Sequence, residues 1–109
     1  MSPEDLKVKA LQQEMKLRAE GSIHIVENVT PSGQKKYSIM FTPYTSSGGA
    51  VRAQIVTGRD RLISFLTGPL EIQTHHVASA VVQLDTERSA SIPNVQLTLR
   101  KARRLGLAS

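Results

Sequence analysis

Residues 50–68 read AVRAQIVTGRDRLISFLTG, and this stretch predicts a strand that leads directly into a short helix. Apolar and polar residues alternate in its first half, and a period of two places one face of a strand on a core. The residues expected to face the core are Val51, Ala53 and Ile55. Thr57 is expected to cap the helix, with Asp60 as the acidic partner of a capping box. Gly68 followed by Pro69 should end it.

Two further strands are predicted before this stretch. Ser22–Val29 and Tyr37–Thr42 both alternate apolar and polar residues, and a turn over Thr30–Gly33 joins them, so they should form a hairpin. Together with the strand that follows, they predict a three-stranded antiparallel meander. His75–Arg88 fits a helical stripe, and its alternation also fits a strand; its length and its lack of Gly and Pro favour a helix.

The N-terminus has the signature of a helix start, with Ser2 as cap, Pro3 at the first helical position and Asp5 as the capping-box acid. The helix is expected to run to Glu20. Its apolar residues form two stripes, which are Val8, Leu11, Met15 and Ala19, and on the other side Leu6, Ala10 and Leu17. A helix on one sheet needs only one stripe, so the second predicts contact with other helices or with a second subunit. Scattered surface apolar residues explain the second stripe equally well.

The C-terminal third begins with a break over Ser89–Pro93, and Asn94–Leu97 is a candidate fourth strand. Thr98 is expected to cap a last short helix that ends at Gly106. The sequence therefore predicts one α+β domain over residues 1–109. Its expected order is an N-terminal helix, a three-stranded antiparallel meander, and then helices with the candidate fourth strand near the C-terminus.

The composition narrows the class of protein. The chain has 109 residues, a formal net charge of +5 and no Cys, which excludes disulfides, thiolate nucleophiles and Cys-based zinc sites. With two Tyr, two Phe and no Trp, its core must be aliphatic. No apolar run reaches membrane-spanning length and no signal-peptide core is visible, so a cytoplasmic protein without membrane contact is expected.

The basic residues are the main indication of a partner. The last helix places apolar residues on one arc and four cations on the rest of its surface, namely Arg100, Lys101, Arg103 and Arg104. A second set lies in a stretch without acidic residues and comprises Lys35, Lys36, Arg52 and Arg59. Such cations suit the phosphates of DNA or RNA. Simple solubility, or cations that favour the negative end of the last helix, would explain them as well.

Other candidate sites are weaker. Thr57, Gly58 and Arg59 at a strand-to-helix turn could seat an anion, although ordinary helix capping explains them. The metal-ligand candidates are His24, His75 and His76, and their spacing does not favour a shared ion, so no metal and no cofactor is expected. No nucleophile elbow or close carboxylate pair is visible, which disfavours an enzyme without excluding one, because triad residues can be distant in sequence.

The sequence favours a small basic module without catalytic activity that binds nucleic acid or another polyanion through Lys and Arg side chains. The alternative is a protein-interaction or homo-oligomeric assembly module, whose first helix pairs subunits through Leu6, Ala10 and Leu17. A small-ligand pocket between sheet and helices is a third interpretation, for which no convergent polar set is visible. Clustering of the two basic sets on one face would favour binding, and their dispersal would favour assembly.

Overall fold

The computed structural model describes residues 18–44 and 52–108. The strands are β1 (Arg18–Val29), β2 (Lys35–Pro43), β3 (Ala53–Thr57) and β4 (Ser89–Thr98). The helices are α1 (Arg59–Thr67), α2 (Thr74–Glu87) and α3 (Leu99–Arg104). The strands form a four-stranded antiparallel sheet in the order β3-β2-β1-β4.

β1 is an interior strand that pairs with β2 on one side and with β4 on the other. Ile23 and Ile25 have no exposed surface, and the residues across from them on both neighbouring strands are also buried. Those neighbours are Phe41, Ile39, Ile92 and Ala90. Because side chains alternate along a strand, these residues line one face of the sheet, and this face carries the core.

The helices contribute to the same core. α1 buries Leu62 and Leu66, four positions apart on one side of the helix. α2 buries Val77, Ala80 and Leu84, at the spacing that lines up one helical face. This burial pattern resolves the ambiguity over residues 75–88 in favour of a helix.

The predicted order of elements is wrong at both ends of the chain. β1 begins at Arg18, so the predicted N-terminal helix does not reach Glu20; residues 1–17, with Leu6, Ala10 and Leu17, lie outside the described residues. At the other end, the expected break over 89–93 is part of a ten-residue strand. This strand pairs with β1, so the three-stranded meander is not the whole sheet. Pairing with a partner strand thus overrides the local helical and turn preferences.

The predicted faces of β3 are also reversed. Ile55 is 60% exposed, whereas Gln54 lies opposite Ile39, which is fully buried. Residues directly opposite each other in a sheet share a face, so Gln54 lies on the core side and Ile55 on the other. Thr57 belongs to β3 and does not cap α1; Gly58 is the cap residue and offers no side chain.

Arg59, the first residue of α1, links the sheet to both longer helices. Its Nη2 lies 3.1 Å from Glu27 Oε2 in β1, and its Nη1 lies 2.6 Å from Asp85 Oδ1 in α2. Its Nε donates a hydrogen bond to the hydroxyl of the buried Tyr37 at 3.3 Å. Hydrogen bonding to Asp85, and then to Tyr37, raises the pKa of Arg59 above its ordinary value. A permanent cation therefore neutralises the Glu27 side chain, which is only 6% exposed.

Replacing Arg59 with Gln should lower the free energy of unfolding by about 2–4 kcal/mol, because it leaves the Glu27 carboxylate nearly buried without its cation. Asp85→Asn should cost no more than about 1 kcal/mol, because its side chain is 56% exposed. Arg61→Gln, an exposed change on the same helix, is the matched control. Urea unfolding of the three variants at neutral pH measures these effects. Equal destabilisation by Arg59→Gln and Arg61→Gln would contradict this role.

Tyr37 should make the fold sensitive to alkali. Burial raises the pKa of Tyr37 above its ordinary value of 10.0, although the hydrogen bond from Arg59 opposes this. The stability from the neutral phenol is fully present below the unfolded pKa, about 10, and is lost as the pH rises through the higher folded pKa. As the pH is raised from about 9 to about 11.5, across the ordinary pKa of Tyr, the Tm should therefore fall more steeply for the wild type than for Tyr37→Phe. Tyr44→Phe, a change at an exposed residue, should keep the wild-type slope.

Candidate polyanion-binding surface

α3 is built by capping at both ends. The Thr98 hydroxyl accepts a hydrogen bond from the Lys101 backbone N–H at 3.1 Å, as its position before the helix predicts. At the other end, Leu107 N–H bonds to Ala102 O at 2.8 Å and Gly106 N–H bonds to Arg103 O at 3.2 Å. This pair of bonds, with Gly106 at φ 75°, is a Schellman motif. Hydrogen bonds at both ends therefore stabilise this six-residue helix.

The apolar side of α3 lies against the core and its basic side faces outward. Ala102 and the following Leu107 are buried. Arg100, Arg103 and Arg104 are exposed, and Lys101 is half-buried with its Nζ 3.3 Å from Glu71 Oε2. The side chain of Glu71 is 80% exposed, so this ion pair is weak and leaves Lys101 able to exchange partners.

Arg52 joins this group from a distant part of the sequence. Its backbone N–H donates to the carbonyl of Leu107 at 3.3 Å, which places the entry to β3 beside the end of α3. Arg52 is exposed. We call the resulting group the α3 basic cluster, and it comprises Arg52, Arg100, Lys101, Arg103 and Arg104.

The rest of the second basic set lies elsewhere. In the pairing of β2 with β3, Met40 lies opposite Ala53 and Lys36 lies opposite Thr57. Lys36 is thus four residues, or about 13 Å, farther along the sheet from the Arg52 end, at a rise of about 3.3 Å per residue. Lys35 and Lys36 are exposed at that far end.

Arg59 lies at a third location, where it forms salt bridges with Glu27 and Asp85. The proposed anion seat at Gly58 is also engaged, because the Gly58 N–H donates to Lys35 O at 2.9 Å. The structure therefore brings Arg52 together with α3 and separates it from Lys35, Lys36 and Arg59.

The histidines do not converge. His24 Nε2 lies 2.9 Å from Ser22 Oγ, on the face of the sheet opposite the described helices. His75 and His76 contact each other at the start of α2, with ring centroids 4.0 Å apart. Among residues 18–44 and 52–108, no group of three or more His, Cys, Asp or Glu is placed to hold a metal ion. Within the same ranges, no helix has the length and apolar character needed to cross a membrane.

A cleft of about 640 Å³ lies at the β4 edge, and the sequence did not identify the residues that line it. Its walls come from the loop after α1, the start of α2, β4 and α3, so no local pattern marks it. Its charged residues include Glu71 and Lys101, which pair with each other. The lining thus mixes apolar and polar groups without a set of unopposed charges, and it supports no particular ligand chemistry.

Comparison of the chain with protein-family models, with characterised protein sequences and with solved structures gives no match.

Gly106 is the residue that allows α3 to end beside β3. Its φ is 75°, and a Cβ at this position would lie 2.9 Å from Gln54 Oε1. Gly106→Ala should lower the free energy of unfolding by about 1–2 kcal/mol from left-handed strain, because only the flexible end of the Gln54 side chain has to move. Gly33→Ala is the matched control, because Gly33 has φ 85° and a Cβ there would meet nothing within 4 Å. Chemical unfolding should show similar losses for the two variants, and a clearly larger loss for Gly106→Ala would contradict the free movement of Gln54.

Proposed function

We propose that this protein is a small module without catalytic activity that binds nucleic acid or another polyanion through the α3 basic cluster. The observation that carries the proposal is the meeting of Arg52 with α3. A basic helix alone is a common surface feature, but here a backbone hydrogen bond holds the main chain of a basic residue from another segment beside the turn that ends the helix. α3 itself contains no acidic residue that would compete for these cations.

The chemistry favours contacts with phosphate groups. Arg presents a planar set of donors that matches two phosphate oxygens, and each neutralised phosphate releases condensed counterions. Base stacking is not favoured, because Tyr37 and Phe41 are buried in the core. Tyr44 is exposed, but its hydroxyl accepts a hydrogen bond from the Asn94 N–H at 3.0 Å, which holds the ring against β4. The proposed binding is therefore to backbone charge and is largely independent of nucleotide sequence.

Assembly is the second candidate function. The dispersal of Lys35, Lys36 and Arg59 away from the α3 basic cluster favours it over a single broad binding face. Pairing through Leu6, Ala10 and Leu17 remains a prediction, since these residues lie outside the described part of the chain. A cytoplasmic location likewise remains a prediction from the sequence.

A triple variant with Arg100, Arg103 and Arg104 changed to Gln tests the proposal. Fluorescence anisotropy with a labelled duplex and a labelled single strand, at several salt concentrations, measures the affinity. The triple variant should bind at least about tenfold more weakly at low salt, because up to three phosphates then keep their condensed counterions. The slope of log K against log salt should become shallower by about 0.7–0.9 for each phosphate that the variant no longer neutralises.

The matched control changes Lys35, Lys36 and Arg61 to Gln, which removes three exposed cations that lie outside the α3 basic cluster. This control should retain more of the affinity than the triple variant does. Equal weakening in both would mean that the net charge, and not the α3 basic cluster, is responsible. No binding by the wild type at low salt would reject the proposed function.

A further inference from the structure

β3 is an edge strand with an exposed apolar residue at its centre. Ile55 is the third of the five residues of β3, and its side chain is 60% exposed on the face of the sheet opposite the described helices. Ala53 is also exposed. Native proteins commonly protect an edge strand with a charged residue, a Pro or a bulge, and Ala53–Thr57 contains no charged residue and no Pro.

The backbone N–H and C=O groups of Ile55 face away from β2. Gly58 N–H bonds to Lys35 O in β2, so the peptide groups of Gly58 face β2. Peptide groups alternate in direction along a strand. Those of Thr57 and Ile55 consequently face away from β2, along the outer edge of the sheet.

The opposite edge of the sheet is better protected. On β4, the Ser91 N–H donates to Gln83 Oε1 at 3.1 Å, so a helix side chain covers the backbone there. Pro93 has no N–H to offer a further strand. Among the described residues, the backbone before β3 is covered at Arg52, whose N–H donates a hydrogen bond to the Leu107 carbonyl. The stretch centred on Ile55 is therefore the more available template for strand pairing.

We propose that β3 pairs with β3 of a second copy of this chain, in an antiparallel arrangement with the two-fold axis at Ile55. The two copies of Ile55 then exchange both backbone hydrogen bonds, and their side chains cover each other. Gln54 of each copy lies opposite Val56 of the other, on the core side. The pairing joins two four-stranded sheets into one continuous sheet.

A second copy fits this edge because the strand is self-complementary. In a symmetric pair each residue meets the same strand running the opposite way, so a charge near the axis would face its own copy. Ala53–Thr57 carries none, and a β-branched residue faces itself at the centre, a pairing that stabilises neighbouring strands. The short strand predicts a weak dimer, with a dissociation constant in a range of about 1–100 μM. This inference does not depend on polyanion binding.

Sedimentation velocity in the absence of nucleic acid tests the pairing, at protein concentrations from well below to well above this range. The wild type should shift from monomer to dimer. Ile55→Glu and Ile55→Lys should each dissociate at least tenfold more readily (about 1.4 kcal/mol), because like charges would face each other at the axis. An equimolar mixture of these two variants should dimerise again, since opposite charges then meet.

Val82→Glu is the matched control, because Val82 is an equally exposed apolar residue, at 63%, on α2. It should dimerise as the wild type does. Ile55→Thr keeps the β-branched shape suited to a strand and should also weaken the dimer. A weaker dimer in this variant would show that the charged variants do not lose the dimer merely by misfolding. A wild type that stays monomeric throughout would overturn the proposal, as would a dimer that Ile55→Glu leaves intact, a Val82→Glu variant that is equally monomeric, or a failure of the mixture to dimerise.

Discussion

The fold depends on the pairing of β1 along both of its edges. An interior strand has no free peptide groups along the paired stretch, and its core-facing side chains can be fully covered. Ile23 and Ile25 meet this condition, with buried partners on β2 and on β4. β4 must return from α2 to supply the second edge. The helices lie on the core-bearing face as a consequence, because the chain between β3 and β4 has to cross the sheet.

Basic residues serve two different purposes in this structure. Arg59 has a structural role, since it neutralises the nearly buried Glu27 and connects two helices to the sheet. The α3 basic cluster is the set of cations for which we propose contacts with phosphates. A net charge of +5 therefore overstates what is available to a partner at any one place. The basic residues are dispersed, and Lys35, Lys36 and Arg59 lie away from the α3 basic cluster.

The two edges of the sheet differ in what they offer a partner. β4 is covered by Gln83 and interrupted by Pro93, whereas β3 presents Ile55 in an uncharged strand. An exposed apolar edge is usually avoided in monomers, because it invites pairing with other chains. The pairing that we propose would use this edge at Ile55. Polyanion binding and assembly are both proposals for this chain.

The sequence by itself determined the features that depend on neighbouring residues. The cap at Thr98, the end of the last helix at Gly106 and the basic surface of α3 follow from local chemistry. The sequence favoured a helix over 75–88 but left a strand open, and the burial of one helical face decided between them. Only the tertiary structure decided the rest. Ile55 faces outward because Gln54 lies opposite the buried Ile39, and Arg18–Glu20 form a strand because Thr98–Gln96 lie alongside them. Arg52 joins α3 through a hydrogen bond between residues 55 positions apart. The physical reason is that strand faces and site composition are set by the partner strand, which no local pattern specifies.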